Sequence, residues 1–234
     1  MAKILCVETG TSVCSVAIGD ENGILGVREL SDPKAHSTML PRLINDVLTD
    51  ASLTPSQISA VAVSKGPGSY TGLRIGVSMA KGICYTSGIP LIGVCSLQAM
   101  AVGLSLSHPN IPADAILCPM IDARRMEVYS ALYNPQGEPV SDVRAVVVDE
   151  NSFAEFLQNQ KIIFFGNGSA KCKDVIKSKN AIFIDGFEPS ARFMLPIALN
   201  AYKNEEFENT AYFEPFYLKD FVATTPKNKI IPNS

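Results

Sequence analysis

Hydrolytic and group-transfer chemistry calls for a nucleophile, a proton carrier or a metal, and this chain supplies such groups sparsely. Its two histidines, His36 and His108, lie far apart with no second histidine at helical spacing, so the paired ligands of a zinc hydrolase are missing. The six cysteines, Cys6, Cys14, Cys84, Cys95, Cys118 and Cys172, form no Cys-x-x-Cys pair, and most sit in apolar runs where a thiol packs as a small hydrophobe. A cysteine nucleophile would need a base, and Cys6 or Cys14 with His36 keeps that route open. The charged candidates are Glu8 and Asp122, each at a polar turn between two β-rich runs, and Lys65, which opens a glycine-rich loop. Together they could serve a nucleotide site or ATP hydrolysis. No metal site and no resident cofactor is expected.

The loop Lys65-Gly66-Pro67-Gly68-Ser69-Tyr70-Thr71-Gly72 separates a predicted strand from a predicted helix, where unpaired amides could hold an anion. Its glycines fit neither G-x-G-x-x-G nor G-x-x-x-x-G-K-[ST], and Pro67 removes a donor, so a tight turn is the better reading. Asp122-Ala123-Arg124-Arg125 sets charges at the second turn, directed either into a cleft or into solvent.

The elements around these residues occur twice. Ile4 to Glu8 and Val13 to Ile18 read as a hairpin, as do Ile116 to Ile121 and Met126 to Tyr133, and both hairpins open on Ile-Leu-Cys. Each is followed by a glycine turn (Asn22-Gly23, then Gln136-Gly137) and a third strand (Ile24 to Leu30, then Val143 to Val148). A helix and a further strand come next, Ala60 to Val63 in the first half and Ile162 to Phe165 in the second. The last strand runs into Gly66-Pro67-Gly68-Ser69 in one half and Gly166-Asn167-Gly168-Ser169 in the other. A duplicated unit of this order resembles the actin-like and Hsp70-like α/β fold: two lobes of mixed β-sheet flanked by helices across a cleft, the second lobe reduced. The lobes are expected at 1–105 and 106–234, with the last segment packing back on the first lobe.

Two predicted helices of the first half carry the strongest surface signal. The first, Thr38 to Asp50, is capped by Ser37 and places Leu40, Leu43, Ile44, Val47, Leu48 and Ala51 in one stripe. The second, Thr71 to Thr86, is apolar nearly all round through Leu73, Ile75, Val77, Met79, Ile83 and Cys84. Its Gly72, Gly76 and Ala80 form a smooth strip. Interior glycines cost about 1 kcal/mol each in a helix. Close approach of a backbone would offset that cost, either from the chain's own sheet or from a partner subunit.

Composition narrows the partners. The 234 residues hold 20 basic and 23 acidic side chains, a net charge of -3, without the basic excess of a stand-alone nucleic-acid binder. Direct nucleic-acid contact would need a local patch such as Arg124, Arg125, Lys171, Lys173, Lys177 and Lys179. No apolar run approaches a membrane span and Met-Ala-Lys-Ile-Leu lacks a secretory layout, so a cytoplasmic protein with reduced thiols is expected. The polar stretch Thr224 to Lys229 is expected to be a mobile tail.

Ser64-Lys65-Gly66-Pro67-Gly68-Ser69-Tyr70-Thr71-Gly72-Leu73-Arg74-Ile75-Gly76 resembles the signature of the bacterial TsaB (YeaZ) family. The resemblance extends to Glu8 to Ser12, His36-Ser37 through Leu40-Pro41, Ile121 to Arg125 and Pro215 to Lys219. It implies a non-catalytic subunit needed for threonylcarbamoyl modification of adenosine 37 in tRNAs reading codons that begin with A. It implies a paralogue of the catalytic subunit TsaD, dimerising with TsaD, or with itself when alone, through the first two helices. An ATPase of the TsaE type would join, and tRNA would be met through the complex. The partner surface so implied comprises Met39, Leu40, Leu43, Gly72, Leu73, Gly76, Val77 and Ala80. Although relatives have been described as glycoproteases, no peptidase activity is expected, because TsaD-like relatives hold a metal with two histidines on one helix and this chain has a solitary His36 there. Glu8 stands where many relatives have Asp, and Met126 where Gly is common.

Overall fold

A computed structural model describes residues 1–32 and 35–218. The first half builds β1 (Ile4–Glu8), β2 (Cys14–Asp20), β3 (Gly23–Leu30), α1 (His36–Asp50), β4 (Ala60–Gly66), α2 (Tyr70–Ser87), β5 (Leu91–Cys95) and α3 (Ser96–Ser107). The second builds β6 (Ile116–Asp122), β7 (Glu127–Ser130), β8 (Arg144–Val147), α4 (Ala154–Leu157), β9 (Ile162–Phe165), β10 (Ala181–Ile184) and α5 (Leu195–Lys203), with 3-10 turns at Ala170–Cys172 and Ala191–Met194.

The repeat seen in the sequence is a repeat of topology. One sheet runs β3-β2-β1-β4-β5 and the other β8-β7-β6-β9-β10, so the strands take the same places in both. In each, the three hairpin strands pair antiparallel and the last two join in parallel. Mixed sheets of this kind need cover on both faces, which is why β1, β2 and β4 read as nearly continuous apolar runs.

The cover comes partly from a distance. One face of the first sheet packs on α1 and α2 through Leu40, Leu43, Val47, Val77 and Ala80. The opposite face packs on Ala191, Met194, Leu195, Ala198 and Ala201. These residues lie about a hundred positions downstream of β5, so the end of the chain supplies the inner layer of the first lobe. Helix α3, which directly follows the first sheet, instead seats Leu97, Met100, Ala101 and Leu104 against Leu117, Ile121 and Phe165 of the second. A lobe drawn at 1–105 therefore leaves out the helix that covers its sheet. Beyond α5 the chain stays on the first lobe, where Glu208 bridges to Leu91 and Lys81 Nζ donates to the Ala211 and Phe213 carbonyls at 3.0 and 3.1 Å.

Helix α1 starts at His36 with Ala35 as its cap residue, so Ser37 lies within the helix and does not cap it. Helix α2 is capped at both ends, by the Ser69 hydroxyl accepting from the Gly72 amide and by left-handed Gly88. Among the described residues no helix is long and apolar enough to cross a membrane. The stretch Thr224 to Lys229, and Lys219 of the last matched motif, lie outside the described residues.

Candidate functional site: a closed cleft and an open helix face

The glycine-rich loop after β4 folds onto the turn between β1 and β2. The Ser69 amide donates to the Gly10 carbonyl at 2.6 Å. A Cβ on Gly68 would collide with the Gly10 backbone, one on Gly72 with the Thr9 carbonyl oxygen, and one on Gly76 with the Thr9 hydroxyl. The small-residue strip thus lets the chain's own hairpin approach helix α2, and that contact offsets the helical cost of the glycines. Half of the loop is also occupied from outside, since the Phe216 amide donates to the Lys65 carbonyl at 2.6 Å.

Glu8 ends β1 and is 1% exposed. Its Oε1 accepts the Gly10 amide at 2.6 Å, which turns the carboxylate back into its own lobe. Burial raises its pKa, opposed by the Gly10 amide and by the Ser64 and Ser96 hydroxyls that face it. Asp122 ends β6 in the other lobe and pairs with Lys171, whose Nζ also donates to the Glu127 carbonyl at 2.7 Å. No hydrogen bond or ion pair among the described residues links Glu8, Lys65 and Asp122 to one another. The residues that sequence reasoning assembled into a nucleotide site are thus engaged separately.

The cysteine route is not assembled. Burial pushes the Cys6 thiol up to about 12 and the Cys14 thiol up to about 11, so neither supplies thiolate near neutral pH. His36 is buried and its Nε2 donates to the Ser12 carbonyl at 3.3 Å. Among the described residues no group of three His, Cys, Asp or Glu is placed to hold a metal ion. The basic patch also divides. Arg124 and Arg125 form the exposed, left-handed tip of the β6–β7 turn, and Lys171 and Lys173 lie at the same end of the sheet, paired with Asp122 and Asp185. Lys177 and Lys179 precede β10 and sit at the opposite end.

The implied partner surface needs correction. Leu40, Leu43, Gly72, Leu73, Gly76, Val77 and Ala80 are all buried inside the first lobe, and of that set Met39 alone keeps partial exposure. The outward side of α2 is a different register: an open groove of about 860 Å³ runs along it, floored by Ile75, Met79 and Ile83 and edged by Arg74, Ser78 and Ser37. These three apolar side chains are only partly buried by the lobe itself. Sequence reasoning saw that α2 was apolar on more than one face but assigned the smooth strip to the partner. The signal that separates the faces is the row Thr71, Arg74, Ser78 and Gly82 at helical spacing, which marks the side turned to solvent.

At the N-terminal end of this groove the chain's last described residues close in. Tyr217 packs on Tyr70 with ring centroids 4.8 Å apart and the rings tilted by 38°. The Arg74 guanidinium carbon lies 4.3 Å from the Tyr70 ring centre, and Arg74 Nε donates to the Tyr217 hydroxyl at 3.1 Å.

Two mixed sheets of one topology, with helices on their faces and the hairpin turns drawn inward, define the actin-like class of two-lobed α/β proteins. Comparison with known proteins refines this. Residues 26–227 match the family described as TsaD, tRNA N6-adenosine threonylcarbamoyltransferase. The chain is 31% identical to the tRNA threonylcarbamoyladenosine biosynthesis protein TsaB of Escherichia coli, over 94% of this chain and 96% of that protein. It is 30% identical to TsaB of Bacillus subtilis over 74% of this chain and 75% of that protein. YeaZ from Pseudomonas aeruginosa superposes with a TM-score of 0.76 at 25% identity, covering 93% of this chain and all of that one. A crystal structure described as an uncharacterized protein with similarity to peptidase YeaZ, also from Pseudomonas aeruginosa, gives a TM-score of 0.82 at 24% identity over 94% of this chain. The chain belongs to the TsaB (YeaZ) family.

Proposed function

We propose that this protein acts in tRNA threonylcarbamoyladenosine biosynthesis as a non-catalytic subunit. In this reading it docks on a TsaD-like catalytic subunit through the outer face of α2 and the first turn of α1, and holds that subunit in its active arrangement. A TsaE-like ATPase joins the assembly, the same face serves self-association when the protein is alone, and tRNA is met through the complex.

One observation carries this reading: the apolar row Ile75, Met79 and Ile83 lies in an open groove on a helix whose opposite face, Leu73, Val77, Ala80 and Cys84, the lobe has already covered. The reading is supported by the engagement of the cleft candidates within their own lobes, Glu8 folded back on Gly10 and Asp122 paired with Lys171. Peptidase chemistry, suggested by the description of one structural relative, finds no thiol and base in contact among the described residues.

The test is a double substitution, Met79→Asp with Ile83→Asp, which places two charges on the partly exposed row that edges the core, with circular dichroism confirming that the variant is folded. Light scattering on the variant mixed with the TsaD-like subunit of the same organism is expected to show separate monomers where the native pair co-elutes. Reconstituted threonylcarbamoylation should fall to the level seen without this subunit. An intact complex and unchanged tRNA modification in a folded variant would overturn the reading. Isothermal calorimetry of the isolated chain with ATP and Mg²⁺ provides the independent check on the cleft, where tight binding with turnover lost in Glu8→Gln would restore an enzymatic role.

A further inference from the structure

The groove on α2 is not electrically neutral. Arg74 sits at its N-terminal end with its guanidinium over the Tyr70 ring, 4.3 Å from its centre and 6.0 Å from that of the neighbouring Tyr217 ring. The Tyr217 hydroxyl takes up Nε at 3.1 Å, which fixes the plane of the fork and leaves both terminal nitrogens directed away from that bond. Arg74 forms no ion pair among the described residues, although eight such pairs occur elsewhere on the surface. No carboxylate lines the groove, and Glu214, on the C-terminal segment, acts on Arg74 through space without forming an ion pair. A long flexible cation has thus been immobilised before any partner arrives, removing part of the ordering cost that usually weakens a surface charge contact.

We infer that Arg74 is the charged anchor of the partner surface and that it receives a carboxylate from a different protein, seated end-on against the guanidinium while apolar side chains of the same partner fill the row Ile75, Met79 and Ile83. This rests on the reading of the α2 face as the docking surface. The partner chemistry follows from what a second copy of the chain lacks. Helix α2 carries Arg74 and Lys81 but no Asp or Glu over its whole length, Tyr70–Ser87. The two acidic residues of α1, Asp46 and Asp50, are already engaged by Arg42 and Arg28. Helices α1 and α2 of a second copy would bring Arg74 no free carboxylate, and Glu214, the acidic group that already acts on Arg74 through space, belongs to its own chain, whereas a partner helix with an acidic residue at one end and an apolar row behind it satisfies both features. Arg74 thereby selects the heteromeric complex over the homodimer.

The experiment measures dissociation constants for the complex with the TsaD-like subunit, and for self-association, at low and high salt. Arg74→Ala is expected to weaken the heteromeric complex about tenfold and to flatten its salt dependence, and Arg74→Glu to weaken it about a hundredfold. Self-association should stay within about twofold of native in both. Arg74→Lys, which keeps the charge but loses the planar fork, should fall between native and Arg74→Ala. Replacing the acidic residues of the partner's docking helices by Lys, one at a time, should reveal one that restores binding to Arg74→Glu. Tyr217→Ala controls for the ordering of the C-terminal segment and should cost only a few-fold, with the native salt dependence kept. Native affinity in Arg74→Glu, while the Met79 and Ile83 double substitution abolishes the complex, would overturn the anchor and leave the docking face standing. Failure of both would remove the docking face as well. An equal loss in Tyr217→Ala and Arg74→Glu would also overturn the inference, by assigning the effect to the C-terminal segment.

Discussion

The two lobes share their strands and differ in their helices. Where the first carries α1 and α2, of 15 and 18 residues, the second has α4 and a 3-10 turn, of 4 and 3 residues. The loops between correspond in outline: Gly66 and Gly166 both adopt positive φ, 108° and 93°, and each loop donates an amide to its own hairpin, Ser69 to Gly10 and Gly168 to Met120. Hydrogen-bonded pairing holds a strand plan in place, while a helix is free to shrink to what its sheet needs covered. The second lobe has shrunk to that minimum. The first has kept a long helix whose outer row is more apolar than its own sheet requires, and that excess is what makes the face a docking surface.

The sharpest way to break this comparison is to spoil the approach of α2 to its hairpin. Gly72→Val should destabilise the protein by about 3 kcal/mol or more, measured by denaturant unfolding, because the added carbons meet the Thr9 carbonyl and have no room to move. The matched pair Gly68→Ala and Gly168→Ala should separate the lobes. The first new Cβ collides with the Gly10 backbone, whereas the second lies 3.0 Å from the Asp122 amide and the Val128 side chain, so the first variant should lose about 1 to 2 kcal/mol more.

Glu8 gives a pH test of the closed cleft. Its folded pKa is raised by burial above the unfolded value of about 4.3, so the stability tied to its protonated form is complete below that value and is lost as pH rises through the folded pKa. Native protein should therefore lose thermal stability relative to Glu8→Gln as pH rises above the unfolded value, and a difference that stays constant with pH would show that the carboxylate is not sealed in. The smallest effect is a gain. Gly82 lies on the outer side of α2 with nothing near its missing Cβ, so Gly82→Ala should stabilise the monomer by about 0.5 to 1 kcal/mol, in contrast to Gly72 on the same helix.

Much of this plan was legible in the sequence, for a physical reason. Strand alternation and glycine turns are local signals, and the repeated order of hairpin, third strand, helix and strand followed from them. The strip Gly72, Gly76 and Ala80 was legible as a close-packing surface, but its periodicity says only that some backbone approaches, not whose. A helix apolar on two faces has no sequence mark for inside and outside except the spacing of its few polar residues, here Arg74 and Ser78. The layer supplied by α5 could not be read locally at all, because it joins segments about a hundred residues apart whose apolar patterns are equally compatible with covering the nearer sheet. The pairing of Arg74 with Tyr217 was hidden for the same reason, the two being 143 positions apart.

The return of α5 to the first sheet has a consequence for synthesis. A ribosome making this chain releases β1 through β5 early, yet the residues that shield their inner side, from Ala191 to Ala201, leave the exit tunnel roughly a hundred residues later. At usual translation speeds that interval is about 5 to 20 seconds. The amino-terminal lobe is thus begun first and finished last, and a nascent chain stalled before its final helix exposes one greasy side to whatever chaperone is at hand.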